Sequence, residues 1–388
     1  MEQMIRKMKL RVFNKHEEYM KNIQPLLDPC VVGDMKLRNS IVMSPMTRSR
    51  SDNADNAPTG LTAQYYEQRA SAGLIITEGS QISKQAVGYV NTPGIYSEVQ
   101  TGAWRAVTNA VHMKGGKIFI QLWHVGRMSH PDFHNGELPL APSAINPADK
   151  SYTPSGFKPT VTPKAMTVND IKQTVADFGR AAANAVKAGF DGAEIHAANG
   201  YLLHQFFNRC SNTRTDEYGG SIEKRARILF DVLDEIKKVM PSGSIGVHLN
   251  PSLHGLFGMT VDEETIPCFD HIVRKLNDYG LAYLFLSEPF TEVTNVPGAE
   301  PHIARHFRPL YKGTLVINKG FNRETGNSVL EAGQADLVAF GKLYISNPDL
   351  AERFAQKTPT APWDEVTFYT AGAKGYTDYP ALPVNIGV

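Results

Sequence analysis

About eight short runs rich in β-branched and aromatic residues recur down the chain: Ile41–Met46, Leu74–Glu78, Lys117–Trp123, Gly192–Ala197, Ser244–Asn250, Leu281–Ser287, Thr314–Asn318 and Leu337–Phe340. Most are too apolar to keep one face in water, which marks strands covered on both sides. The segments between them carry apolar residues at helical spacing. In Ser221–Met240 the side chains of Ile222, Ala226, Leu229, Phe230, Leu233, Ile236 and Val239 form one stripe, with Ser221 placed to cap its start. Thr62–Ala72, Glu98–Lys114, Thr167–Ala188, Asp262–Tyr279 and Asn322–Ala332 repeat the pattern. Strands alternating with helices in this way predict a parallel sheet under helices. A doubly wound sheet would show a glycine fingerprint after its first strand, but "SPMTRSRSDN" follows instead. The strand count and even spread therefore favour an α/β fold of the (β/α)8 TIM-barrel type.

Such a barrel accommodates most of the 388 residues as one unit, expected over 25–388. Ahead of it, residues 1–24 read as a basic extension, with Arg6, Lys7, Lys9, Arg11, Lys15 and Lys21 among apolar residues. Glu2, Glu17 and Glu18 favour a solvated segment over a targeting helix. A formal net charge of +1 gives no footprint for nucleic acid, and no apolar window reaches the roughly 18 residues of a membrane span. Three cysteines without CxxC spacing argue against disulfides and point to a reducing, cytoplasmic setting. Monomer and homodimer are both compatible with this composition. The Pro- and Gly-rich stretch 124–163 reads as a loop or hairpin after the third strand, lying over the catalytic face.

Barrel enzymes build their sites from the C-terminal ends of the strands. Here those ends are rich in neutral donors and acceptors and poor in paired carboxylates, which disfavours glycosidase chemistry. "VINKGF" and "VAFGKL", at the seventh and eighth ends, each offer a glycine and a lysine, the pattern of a phosphate cradle; the plainer alternative is two tight turns with solvated lysines. In "EIHAANGYLLHQFF", His196 and Asn199 lie three apart, so both reach one target only if the strand ends between them, with Gly200 allowing the bend. Otherwise they are a satisfied interior histidine and a turn-forming asparagine. His302 and His306 lack the glutamate of a zinc-protease helix, and His124, His130 and His134 crowd a loop, so no metal is expected. A GxSxG elbow is absent. Lys319 and Lys342 leave open a Schiff-base aldolase or lyase.

Several separated motifs, "SPMTRSR", "YYEQRASAGLIITEGSQIS", "IQLWHVGRMSHP", the long run from "EIHAANGYLLHQFF" through "RARILFDVLDEI", "ISNPDL" and "GYTDYP", occur in an order that resembles the old yellow enzyme family of FMN-dependent ene-reductases, which includes the oxophytodienoate reductases. The resemblance spans roughly Pro25 to Pro380. It implies a barrel holding FMN at its mouth, reduced by NADPH or NADH and reoxidised by an α,β-unsaturated carbonyl compound. By motif, Pro45, Met46, Thr47 and Gly79 would line the flavin's reactive edge and Gln121 its pyrimidine end. Gly320, Gly341 and Lys342 would hold its phosphate. His196 and Asn199 would bind the substrate carbonyl, Tyr201 would donate a proton, and Trp123, Phe368 and Tyr369 would pack around the substrate and the flavin's benzenoid end.

Two positions depart from the family pattern. "GVHLNP" places His248 where an arginine normally meets the flavin's N1 and O2, and Lys342 replaces an arginine beside the phosphate. Asn318 and Lys319 also stand where smaller residues are common. A histidine is shorter than arginine and lacks its planar fork. The departures therefore keep open a non-catalytic flavin- or ligand-binding relative.

Overall fold

The computed structural model describes residues 24–383, so the basic extension lies outside the described residues except for Gln24. Eight parallel strands close into a barrel: β1 (Ile41–Met43), β2 (Leu74–Gln81), β3 (Ile118–Trp123), β4 (Gly192–His196), β5 (Ile245–Leu249), β6 (Tyr283–Ser287), β7 (Leu315–Asn318) and β8 (Leu337–Phe340). Closure comes from β8 against β1, in the register Val338↔Ile41 to Phe340↔Met43. A helix follows each strand: α1 (Gly60–Glu67), α2 (Glu98–Met113), α3 (Val168–Lys187), α4 (Ile222–Ile236), α5 (Thr265–Leu276), α6 (Ile303–Phe307), α7 (Arg323–Glu331) and α8 (Leu350–Gln356). All eight expected strands are present, with two ends revised by three residues and several others by one or two. The first stops at Met43 rather than Met46, because Pro45 has no N–H to continue the ladder. The second runs past Glu78 to Gln81 through a bulge between Ile76 and Gly79.

Alternation divides each strand between two cores. Outward residues such as Ile75, Ile120, Ile195, Val247, Leu284 and Ile317 join the helices in one large cluster. Inward residues Val42, Ile76, Phe119, Phe285, Val316 and Ala339 form a second cluster, which Val32 and Leu37 of the hairpin Cys30–Val32 and Met35–Leu37 join. The barrel interior is thus apolar where that hairpin meets it and turns polar at the other end. Among the described residues no helix is long and apolar enough to cross a membrane.

The stretch after β3 contains the hairpin Lys150–Thr153 with Gly156–Pro159, and Leu140–Ala141 pairs with Lys164–Ala165. A second covering comes from far along the chain. Arg48 and Arg50, both buried beyond β1, hold the segment 367–376 through its carbonyls. Arg50 donates to Thr367, Phe368, Gly372 and Lys374, while Arg48 donates to Phe368 and Gly375. Tyr376 then stacks on Tyr65 at 4.1 Å. Charged donors to carbonyls contribute about 1.5–3 kcal/mol each before desolvation is subtracted. Arg50→Ala is expected to lower stability by about 3 kcal/mol in chemical denaturation and to make 367–376 the first site of limited proteolysis.

Candidate active site

β4 ends at His196, and the chain turns at once. Asn199 (φ 54°) and Gly200 (φ 75°) both adopt left-handed backbone, so the bend expected of the glycine is shared with the asparagine. Asparagine tolerates this region better than most residues. Gly200 cannot be replaced freely, since an added Cβ would lie 2.8 Å from Phe257 Cβ. The turn brings Asn199 over the barrel mouth, where its Oδ1 accepts from Asn250 Nδ2 at 2.9 Å and its own amide N–H2 is left to donate. His196 Nδ1 accepts from the Ala198 N–H at 3.3 Å, which assigns the ring proton to Nε2. Burial, and next the neighbouring His248, push the His196 pKa well below its usual value, so the ring stays neutral. His196 at the end of β4 and Asn199 in the turn after it thus each keep a neutral donor.

Around them stands a box of aromatic rings. Trp123, the last residue of β3, stacks on His196 at 6.0 Å and on Tyr89 at 5.4 Å, and meets Tyr201 edge-on at 5.0 Å. Tyr201 begins the short helix Leu202–Phe207, and its hydroxyl donates to Tyr89 at 3.2 Å. Burial raises the Tyr201 pKa well above its usual value, so the group is a protonated phenol. Gly79 makes this packing possible, because an added Cβ would lie 2.5 Å from the Trp123 ring. A cavity of about 480 Å³ opens between Thr47, Trp123, Tyr201 and Tyr369, walled by Tyr89 and Phe257 and roofed by Tyr152 and Phe157 of the hairpin. Phe368 lies elsewhere, with Lys342 Nζ 6.0 Å from its ring centre.

Below the mouth lies a polar layer in which Glu194 and Tyr283 join Gln121, His248 and Asn318, the three that the sequence singled out. Glu194, fully buried, accepts from Gln121 Nε2 at 2.7 Å and from Tyr283 OH at 3.1 Å. Tyr283 reaches it across Gly246, where an added Cβ would strike the ring at 2.3 Å. His248 donates or accepts at Ser287 Oγ through Nε2 at 2.9 Å, while its Nδ1 lies 3.7 Å from Glu194 with no hydrogen-bond partner. Asn318 Oδ1, on β7, is likewise buried and unpaired. Period-two spacing of Glu194 with His196 was the one available signal for Glu194, since it puts both on one face.

At the seventh and eighth strand ends, Lys319 (φ 86°) and Gly320 (φ 81°) turn together, and Gly320 faces open space. An added Cβ on Gly341 would come no closer than 3.5 Å, to Met46 Sδ, which brings Met46 beside that loop. Lys342 Nζ pairs with Glu365 at 2.6 Å, an exposed ion pair of the kind that exchanges partners readily. Lys319 and Lys342 are both exposed, so neither has the desolvated setting a Schiff-base lysine uses. Among the described residues no group of three or more His, Cys, Asp or Glu could hold a metal ion.

Arg48, Arg50, Tyr89, Phe257 and Glu78 also shape the site and were missed as site residues. The bulge directs Glu78 to the Arg48 N–H at 3.0 Å, and burial raises its pKa from 4.5 to about 7. A carboxyl group with a raised folded-state pKa retains a proton that the unfolded chain has already released. Stability is therefore expected to fall as pH rises from about 4.5 to about 7 and then level off. Glu78→Gln keeps an acceptor for Arg48; it should flatten this slope and add up to about 3 kcal/mol at neutral pH, read from urea denaturation across pH.

Comparisons with known proteins agree with this geometry. The sequence profile of the NADH:flavin oxidoreductase / NADH oxidase family matches residues 25–361. 12-oxophytodienoate reductase 1 of Oryza sativa subsp. japonica is 41% identical over 363 residues, covering 92% of this chain and 93% of that protein. The structure of an old yellow enzyme homologue from Zymomonas mobilis superposes with a TM-score of 0.87 at 39% identity, covering 92% of this chain and 99% of the other. Morphinone reductase in complex with tetrahydroNAD superposes equally well, at 0.87 and 40% identity, with 94% and 100% covered.

Proposed function

Because the chain belongs to the NADH:flavin oxidoreductase / NADH oxidase family and is a flavin-dependent oxidoreductase of the ene-reductase type, we propose that its barrel, over 25–388, binds FMN and uses NADPH or NADH to reduce the C=C bond of small α,β-unsaturated carbonyl compounds. The observation that carries this reading is that the half-buried Tyr201, which lines the aromatic cavity, meets the neutral His196 ring edge-on at 5.1 Å, with Asn199 in the turn between them. Bound FMN would supply a two-electron hydride carrier between the nicotinamide and the substrate carbon.

The residues fit that group. Pro45, Met46, Thr47 and Gly79 would flank one edge, Gln121 and His248 the polar end, and Gly320, Gly341 and Lys342 the phosphate. His248 Nδ1 and Asn318 Oδ1, buried without partners, await such a polar ring, and the bare Gly320 leaves room for phosphate oxygens. Lys342 would exchange Glu365 for the phosphate. His248 stands where the family's arginine usually meets the flavin, with Glu194 at 3.7 Å from its Nδ1.

His196 Nε2–H and the Asn199 amide would donate to the carbonyl oxygen of the enone. As hydride adds to its β-carbon, negative charge gathers on that oxygen, and each preorganised donor stabilises it by about 3 kcal/mol. Tyr201 would place its proton on the α-carbon as general acid. Trp123, Phe257 and Tyr369 line the cavity in which the reacting atoms would lie. Cytoplasmic action as a monomer or homodimer, without nucleic acid or membrane, completes the proposal.

The purified protein is expected to be yellow, to bleach with anaerobic NADPH or NADH, and to recover colour with cyclohexenone. A colourless protein that takes up no FMN overturns the reading; bleaching without reoxidation would support a binding relative instead. Tyr201→Phe should slow the enone half-reaction about a hundredfold while sparing flavin reduction, both read by stopped-flow absorbance. His248→Arg should tighten FMN or speed its reduction, and no change in either would remove His248 from the flavin site.

A further inference from the structure

Once Tyr201 has given up its proton, the phenol must be reloaded. Tyr201 is half-buried and lines the 480 Å³ cavity that a bound enone would fill, and it has no exposed neighbour on its own helix, where Leu202 to Phe207 are all buried. The hydroxyl donates to Tyr89 OH at 3.2 Å, and that contact leads outward. Tyr89 belongs to two cavities: the 480 Å³ site and a second one of about 420 Å³, which reaches the surface at exposed Pro154 and is lined by Asn56, Asn91 and Phe133. Its ring is held parallel to Trp123 at 5.4 Å and edge-on to Tyr201 at 6.1 Å. Its backbone is tied by the Thr92 hydroxyl, which Gln81 Nε2 in turn holds at 2.5 Å. A rigidly mounted hydroxyl thus stands between the acid and water.

We propose that Tyr89 is a positioning residue that relays a solvent proton to Tyr201; this rests on the reading of Tyr201 as proton donor. In the resting site the Tyr201 O–H points at Tyr89. During turnover the Tyr201 O–H bond breaks and a C–H bond forms at the substrate α-carbon. The Tyr89 O–H then turns to the phenolate oxygen, its bond breaks as the Tyr201 O–H re-forms, and water in the outer cavity returns a proton to Tyr89. The net proton comes from water, which is left as hydroxide and neutralised by bulk buffer.

The test follows steady-state turnover of the FMN-loaded enzyme at saturating NADPH or NADH with cyclohexenone in H2O/D2O mixtures, for wild type, Tyr89→Phe and Tyr201→Phe, because Tyr201 is reloaded only after each flavin reoxidation. Phenylalanine keeps the stack on Trp123, and an unchanged flavin absorption band checks that the site is intact. Tyr89→Phe should slow steady-state turnover about tenfold at saturating enone with little change in KM, while a single reoxidation keeps its rate. It should also turn a bowl-shaped proton inventory, two protons moving, into a straight line, one proton moving. A purely structural role would shift KM or the band and leave the curvature. If Tyr201→Phe is slow but Tyr89→Phe keeps the wild-type rate and curvature, the relay is overturned alone; if Tyr201→Phe itself is not slowed, the donor assignment falls and the relay with it.

Discussion

A strand closed into a barrel sends alternate side chains into two separate spaces, and every feature of this site depends on that division. On β4 the even-numbered Glu194 and His196 enter the barrel, while Ala193 and Ile195 face the helices. The same alternation on β3 and β5 delivers Gln121, Trp123 and His248 to the interior. Register then does the rest: His196 stands directly beside His248, and Glu194 beside Gln121. A slip of one residue would bury isoleucines at the mouth and push the polar groups among the helices.

The electrostatic balance at the mouth follows from burial. Desolvation keeps His196 neutral, which suits a hydrogen-bond donor that must not compete as an acid. One layer down, Glu194 is retained through two hydrogen bonds and the nearby His248 imidazole. Removing partners from such a group costs more than the pair contributes, so Gln121 and Tyr283 act as structural supports for whatever polar ring sits above. The arginine staples at Arg48 and Arg50 apply the same physics at the rim, exchanging buried charge for many carbonyl contacts and thereby placing Tyr369 at the cavity.

Much of this was legible in the sequence. Eight apolar runs with helical spacers determine a barrel, because a fully covered strand and an amphipathic helix each declare themselves by period. Trp123 and Thr47, singled out because barrels put chemistry beyond the strand ends, do line the cavity. Less legible were partners joined by neither period nor proximity. Tyr89 lies 112 residues before Tyr201, and Arg50 holds carbonyls more than 300 residues away. Backbone carbonyls have no sequence signature at all.

The sequence by itself therefore determined the strand order, the face each strand end presents and the residue types available at the mouth, because local periodicity sets all three. Tertiary structure decided the rest. Closing the barrel set which groups share a layer, so that Glu194 meets His248 and Tyr283. Packing of the 124–163 excursion and the 367–376 segment over the mouth decided which rings wall the cavity, and the loop after β2 decided that the Tyr89 hydroxyl faces Tyr201. Those outcomes depend on distances between segments far apart in the chain, and no local pattern encodes a distance.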